Sequence, residues 1–130
     1  LNPSEFAPLF GGDPAEEAAS QVAAACATVV ALTGGTDIVT DGPRRVAIRN
    51  GHSLMGLVTA MGCAASALVC AALAVETDIW LATVAALAAL GVAGEVAGQT
   101  ARGPGSFGAA IIDALYGLDS ATLRARIKVS

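Results

Sequence analysis

Val29-Val30-Ala31-Leu32-Thr33-Gly34-Gly35-Thr36-Asp37-Ile38-Val39-Thr40-Asp41-Gly42-Pro43-Arg44-Arg45-Val46-Ala47-Ile48 is the stretch that separates an α/β chain from an all-helical one. Val29–Leu32 is a short apolar, partly β-branched run that stops at Thr33-Gly34-Gly35, and it reads as a buried strand. Asp37–Thr40 and Arg45–Ile48 flank Asp41-Gly42-Pro43, which makes a hairpin. Asn50-Gly51 then turns the chain into a loop over residues 52–61.

Outward from this stretch the chain reads as helices. Asp13-Pro14-Ala15-Glu16 is a helix start, with Asp13 as cap, Pro14 at the first helical position and Glu16 completing a capping box. That helix is expected to run through alanines to Thr28. A second should begin at Gly62-Cys63 and continue to Val75. Asp78 caps a third, running to Ala101, on which Ile79, Trp80, Leu81, Val84, Leu87, Leu90 and Val92 point in every direction. A helix apolar all round is buried all round. Gly103-Pro104-Gly105 breaks the chain, and Ser106 caps a helix to Tyr116. Asp119 or Ser120 starts a last short helix, and Ile127-Lys128-Val129 closes as an edge strand. There is no internal repeat. Helix, strands, then helices packed on them indicate an α/β layer architecture.

Composition narrows the functional classes. The 130 residues are 55% hydrophobic and 14% charged, with 30 alanines and 15 glycines. Small side chains allow close helix packing but bury little area each, so some apolar surface is expected to await a partner. A net charge of −4 with scattered arginines argues against a nucleic-acid partner. Cys26, Cys63 and Cys70 form no CxxC pair; Cys26 and Cys70 lie in alanine-rich runs and read as small buried hydrophobes. An odd count without a disulfide framework suits a reducing, cytoplasmic setting. Leu1-Asn2-Pro3-Ser4-Glu5 is not a signal peptide, and the absence of an initiator Met leads us to expect a fragment or a processed chain. Two uncharged stretches, 50–75 and 79–94, raise the question of membrane spans. The first is interrupted by polar residues and its apolar part, 64–75, is too short. A buried helix pair, not a membrane hairpin, is expected.

The loop feeding Gly62-Cys63 is where chemistry is expected. Unpaired N–H groups at a helix start, with the positive end of the helix dipole, make an anion site. A proton-accepting or hydroxyl-orienting residue beside a phosphate cradle is what a kinase needs. The plainer reading is that Gly62 begins a helix and Cys63 is packing.

Four motifs favour the first reading. His52-Ser53-Leu54-Met55-Gly56-Leu57-Val58-Thr59-Ala60-Met61-Gly62-Cys63-Ala64-Ala65-Ser66-Ala67 resembles the hydroxyethylthiazole kinase pattern LM-x-x-V-x-GTGC-x-x-SA. The run from Leu32 to Gly42 is similar to that family's TGE-x-D-x-V-x-DG. Gly103-Pro104-Gly105-Ser106-Phe107 followed by Asp113-Ala114-Leu115-Tyr116 resembles its GPGSF and LDALY, and Asn2-Pro3-Ser4-Glu5 its N-x-x-E. The resemblance covers nearly the whole chain, in order. It implies an α/β chain forming the C-terminal half of a ribokinase-like layered fold, its sheet flanked by helices.

The activity so implied is ATP-dependent phosphorylation of the hydroxyethyl group of a thiazole, in salvage of a thiamin precursor. By motif position, Cys63 accepts or orients the substrate hydroxyl proton. The N–H groups of Met61, Gly62 and Cys63 form the anion hole, and Ala60 lines the substrate side. Thr33 contacts ATP, and Asn2 with Glu5 organises Mg²⁺ and phosphates. Relatives are typically trimers with active sites near subunit contacts, and their full chains are about twice as long. Their N-terminal half brings further parallel strands and much of the thiazole pocket, so this chain should need a complementary chain or an oligomer.

The sequence departs from the family at three points. GTGC is Ala60-Met61-Gly62-Cys63 here, so a Cβ stands where φ above zero would favour glycine, and Met61 lacks a hydroxyl. The Glu after TG is Gly35. These favour the competing expectation, a non-catalytic, oligomer-forming or regulatory relic of the fold. His52 is expected to serve a turn, Trp80 the core, and Asp37 and Asp41 the hairpin. Arg44 and Arg45 read as solvated hairpin charges, with one able to approach nucleotide phosphates.

Overall fold

The computed structural model describes Leu1, residues 3–11 and residues 16–130, with the side chains of Pro3, Ser4 and Ala7 excepted. Asn2 and the expected helix start at residues 13–15 lie outside the described residues.

Valine and isoleucine supply the sheet. β1 (Val30–Leu32), β2 (Asp37–Thr40) and β3 (Arg45–Ile48) form an antiparallel sheet in sequence order. The hairpin register pairs Asp37 with Ile48 and Thr40 with Arg45. Side chains alternate between two cores. Val39 and Ile48 face one cluster, while Ile38 and Ala47 face the other with Phe6, Ala19, Ala23, Val30 and Leu32. β1 is the outer strand; beside it the Leu1 ammonium donates to Ala31 O at 2.8 Å, and Leu1 O accepts from Thr33 N at 2.8 Å. On the far side, the expected edge strand is a short bridge of Val129 to Ile48, flanked by the Ala47–Ser130 and Arg49–Lys128 backbone bonds.

Helices cover both faces. α1 (Pro3–Phe10) and α2 (Glu16–Cys26) share the Phe6 side. α2 stops two residues short of the expected Thr28, because Ala27 turns left-handed (φ 49°) and Thr28 N bonds back to Ala23 O. α3 (Met61–Leu73), α4 (Ile79–Gly98) and α5 (Pro104–Tyr116) lie on the other side, with α6 (Ser120–Arg126) after them. The expected α/β layering, with a sheet flanked by helices, is what forms.

α4 is central. By length and composition its 20 residues could cross a bilayer, yet 61% of their most apolar window is buried inside the fold. Its inner residues pack on β2 and β3, and α3 and α5 pack along its sides. The expectation of burial all round holds except at Ile79 in the first turn and at Leu81 and Ala85, which share one face and remain exposed. α5 begins at Pro104, two residues before the expected Ser106 cap. Pro104 needs no N–H donor at that position, and Ser106 instead receives Arg102 N and donates to Gly103 O.

The cysteines correct the sequence reading. Cys26, Cys63 and Cys70 are all free and exposed. An alanine run has no large side chain to mark its inner face, so Cys70 falls on the outer side of α3 while Ala65 goes in. Trp80 packs against the core, as expected, but at its edge: it is half-buried, its Nε1 donates to Val39 O, and the Arg44 guanidinium lies 4.7 Å over its ring.

Candidate functional site

The residues between β3 and α3 are laid on α4 by an absence of side chains. A Cβ at Gly91 would stand 2.7 Å from Asn50 Cβ and 2.8 Å from Asn50 O. One at Gly94 would meet Met55 Sδ at 2.5 Å, and one at Gly98 the His52 ring at 2.3 Å. Three glycines on one side of α4 thus form the trough in which residues 50–55 lie. At Gly91 the obstacle is backbone, so a methyl group would overpack by about 1–3 kcal/mol.

Polar bonds fix the same segment. Asn50 is buried; its Nδ2 donates to Glu95 Oε1 at 2.9 Å and to Arg126 O at 2.8 Å, and its Oδ1 accepts from Lys128 N at 2.7 Å. Burial works to raise the Glu95 pKa, but hydrogen bonds from Lys128 and Asn50 outweigh it and hold the carboxylate below its ordinary range. His52 Nδ1 accepts from Leu54 N and caps a single 3-10 turn, Ser53–Leu57, while its ring stacks on Phe107 at 5.6 Å. The expected turn role of His52 is therefore observed.

That turn delivers the chain to α3 in an unusual state. Ala60, the residue before the helix, has φ 68° and ψ 16°, the left-handed conformation, and offers no side-chain cap. Such a backbone costs a residue with a Cβ about 1–2 kcal/mol. The first bond closing the helix runs from Ala64 N to Ala60 O at 3.0 Å. Among the described residues, the N–H groups of Met61, Gly62 and Cys63 have no acceptor. A Cβ at Gly62 would meet nothing within 4 Å, so the open amides are not roofed by side chains.

Met61 and Gly62 line a cavity of about 560 Å³, with Cys63 next to them in the same turn, a volume in the range that holds small-molecule ligands. One wall is Met61, Gly62 and Ala65 of α3; another is the turn Thr33–Gly35 with Asp37; Leu87, Leu90 and Gly91 form the floor, and residues 49–56 the remaining side. The site residues expected from sequence are only partly gathered there. Thr33, Met61 and Gly62 line the cavity. Ala60 and Cys63 bracket Met61 and Gly62 in the same turn, both exposed, and are not among the walls. Glu5 sits exposed in the first turn of α1. Asn2 lies outside the described residues.

Arg44 and Arg45 are not phosphate partners. Arg44 pairs with Asp41 at 2.7 Å and with Asp78 at 2.6 Å, and Arg45 pairs with Glu16. Hydrogen bonding to Arg44 lowers the carboxyl pKa of Asp78, and bonding to the Arg44 backbone N–H lowers that of Asp41. Neither arginine lines the cavity, and three of the Arg44 donors are already committed to two carboxylates.

Asp37 is the site residue that sequence reasoning left in the turn. Its Oδ1 does accept from Gly34 N at 2.9 Å, as a turn residue would. It also lines the cavity, and burial pushes its pKa above the ordinary aspartate value against the pull of the Gly34 bond and the Leu1 ammonium. The signal available was its parity: Asp37 shares a sheet face with Val39, the face that meets α4.

Comparison with known proteins identifies the family and the fold. The Hydroxyethylthiazole kinase family model matches residues 11–121. A hydroxyethylthiazole kinase from Granulibacter bethesdensis is 51% identical over 116 residues, covering 89% of this chain and 42% of that protein. One from Rhizobium leguminosarum bv. trifolii is 45% identical, with 99% and 54% covered. The solved structure of a hydroxyethylthiazole kinase protein from Pyrococcus horikoshii OT3 matches with a TM-score of 0.85 at 39% identity, covering 88% of this chain and 45% of that one. The layers described above are thus part of a ribokinase-like fold, and the chain spans about half the length of the curated relatives it matches.

Proposed function

The chain belongs to the hydroxyethylthiazole kinase family, and from that premise we propose that it carries the phosphate-binding, catalytic half of an ATP-dependent kinase for 4-methyl-5-(2-hydroxyethyl)thiazole. The reaction moves the terminal phosphoryl group of ATP to the alcohol. A P–O bond to the hydroxyethyl oxygen forms, the bond to ADP breaks, and the hydroxyl proton passes to solvent. One observation carries the reading: three successive N–H groups without acceptors, at Met61, Gly62 and Cys63, start a helix whose first two residues line a cavity that Thr33 also lines.

Each residue has a role that its position supports. Donors aimed where charge gathers on a transferring phosphoryl group need no reorganisation during the reaction, and the three amides are fixed by the helix they start. They are backbone groups, so replacing a threonine by Met61 leaves them in place. Ala60 supports the reading by adopting the left-handed backbone that the turn demands despite its Cβ. It borders the substrate side, Thr33 contacts the nucleotide, and Cys63 orients the acceptor hydroxyl. The cavity volume suits ATP.

Mg²⁺, which would neutralise phosphate charge, is less well provided for. No group of three metal-ligating side chains occurs among the described residues. Mg²⁺ typically takes one or two carboxylates together with substrate phosphates, so Glu5, with Asn2, would hold it against the triphosphate.

A loose phosphoryl-transfer transition state depends on positioning and charge neutralisation, so the amides contribute more than the thiol. The partners follow from coverage and surface. A complementary N-terminal segment supplies the rest of the thiazole pocket, and a homotrimer would cover exposed Leu57, Val75, Ile112 and Tyr116. Three unpaired cysteines support a reducing, cytoplasmic setting.

The test is ATP-dependent formation of thiazole phosphate by the native assembly. Cys63→Ala should lower kcat by about tenfold, below the hundredfold or more that a true general base contributes, with the KM for ATP unchanged. An assembly that binds neither ATP nor the alcohol would select the non-catalytic reading.

A further inference from the structure

We propose that Asp37 recognises the sugar of the bound nucleotide, its carboxylate accepting a ribose hydroxyl beside the Thr33–Gly35 turn. This rests on the nucleotide-binding role given to that turn.

Placement comes first. Asp37 opens β2 opposite Ile48, on the sheet face that meets α4, and lines the cavity together with Thr33, Gly34 and Gly35. The turn beside it presents bare backbone to a ligand. A Cβ at Gly35 would meet nothing within 4 Å, and one at Gly34 only Thr36 O at 3.8 Å.

Within the fold the charge of Asp37 meets only the pull of the Leu1 ammonium, which burial outweighs. Oδ1 holds Gly34 N, and Oδ2 has no partner among the described residues. No Lys or Arg side chain among them bonds to it. The turn needs only an acceptor for one N–H, which an asparagine supplies without a charge. The carboxylate is nevertheless half-buried, and its raised pKa records the cost. For a group raised on folding, the favourable contribution is complete below the ordinary value of 3.8 and is lost as pH rises through the folded value. At pH 7 the ionised side chain therefore works against stability.

Ligand chemistry accounts for such a group. A carboxylate next to an anion cradle repels phosphate, so what it meets must be a neutral donor. Carboxylates hydrogen-bond ribose hydroxyls in dinucleotide sites for the same reason, and a hydrogen bond to an ionised acceptor is among the stronger ones. A directly held metal ion is a poor alternative, because no cluster of ligating side chains surrounds Asp37 among the described residues.

The test is calorimetric titration of the native assembly with ATP, 2′-deoxyATP and 3′-deoxyATP, for the wild type and Asp37→Asn. The wild type should bind ATP about tenfold more tightly than at least one deoxy analogue, the scale of one charged hydrogen bond. Asp37→Asn should bring ATP down to the analogue's affinity, leave the analogue unchanged, and melt no lower at pH 7. A wild type that binds ATP and both analogues equally overturns the inference alone. So does an equal loss for all three ligands with a lower melting temperature, which would mark a structural role. A wild type that binds no nucleoside triphosphate overturns the kinase reading and this inference with it.

Discussion

The starts of α4 and α3 solve the same physical problem in opposite ways. Every helix begins with N–H groups that have no intrahelical partner. At α4, Asp78 accepts from Trp80 N at 3.0 Å and Leu81 N at 3.3 Å, and Arg44 braces it from the hairpin. At α3, Ala60 supplies no side-chain acceptor, sits in a left-handed backbone, and leaves the N–H groups of Met61, Gly62 and Cys63 without partners, the first two residues lining the cavity. One end is closed for stability. The other is held open at a cost, and open donors with room in front of them are what a phosphate requires.

Three substitutions probe that contrast. Gly62→Val should have the largest effect. A side chain there meets nothing in the fold, so the melting temperature should hold while the isopropyl group stands in front of the amides and kcat/KM falls about a hundredfold, as much as losing one such donor would cost. Unchanged turnover would break the comparison. Asp78→Ala should do the reverse, lowering the melting temperature by several degrees through the lost cap while kcat/KM stays level; a matching loss of activity would show the two ends are not separate. Ala60→Gly is the smallest and sharpens the comparison. It relieves the left-handed Cβ and should stabilise by about 1 kcal/mol, read as a rise in denaturation midpoint. A fall would mean that the Ala60 methyl group makes contacts worth more than its strain.

Much of this was legible in the sequence, and the residues explain what was not. The hairpin came through because β-branched residues flank Asp41-Gly42-Pro43, and the Asp78 cap because an aspartate precedes an apolar run. The α3 start was found from Gly62-Cys63 and from family resemblance together. Burial within alanine runs was not legible: Ala65 and Cys70 differ in exposure but not in any property a pattern can rank. Gly91, Gly94 and Gly98 looked like weak points of a core helix, and only their contacts with Asn50, Met55 and His52 show them to be a trough. Asp37 was read from its turn, which is local, while its place in the cavity depends on α3 and α4, which are distant in sequence. Arg44 looked free because its partner Asp78 lies 34 residues away.

Amide chemical shifts test the central claim most directly. With the native assembly labelled with ¹⁵N and titrated with ATP, the account predicts that Met61, Gly62 and Cys63 move together and saturate at one ligand concentration, while Trp80 and Leu81 stay still. If those three signals remained fixed as the nucleotide bound elsewhere, the open end of α3 would not be the phosphate site.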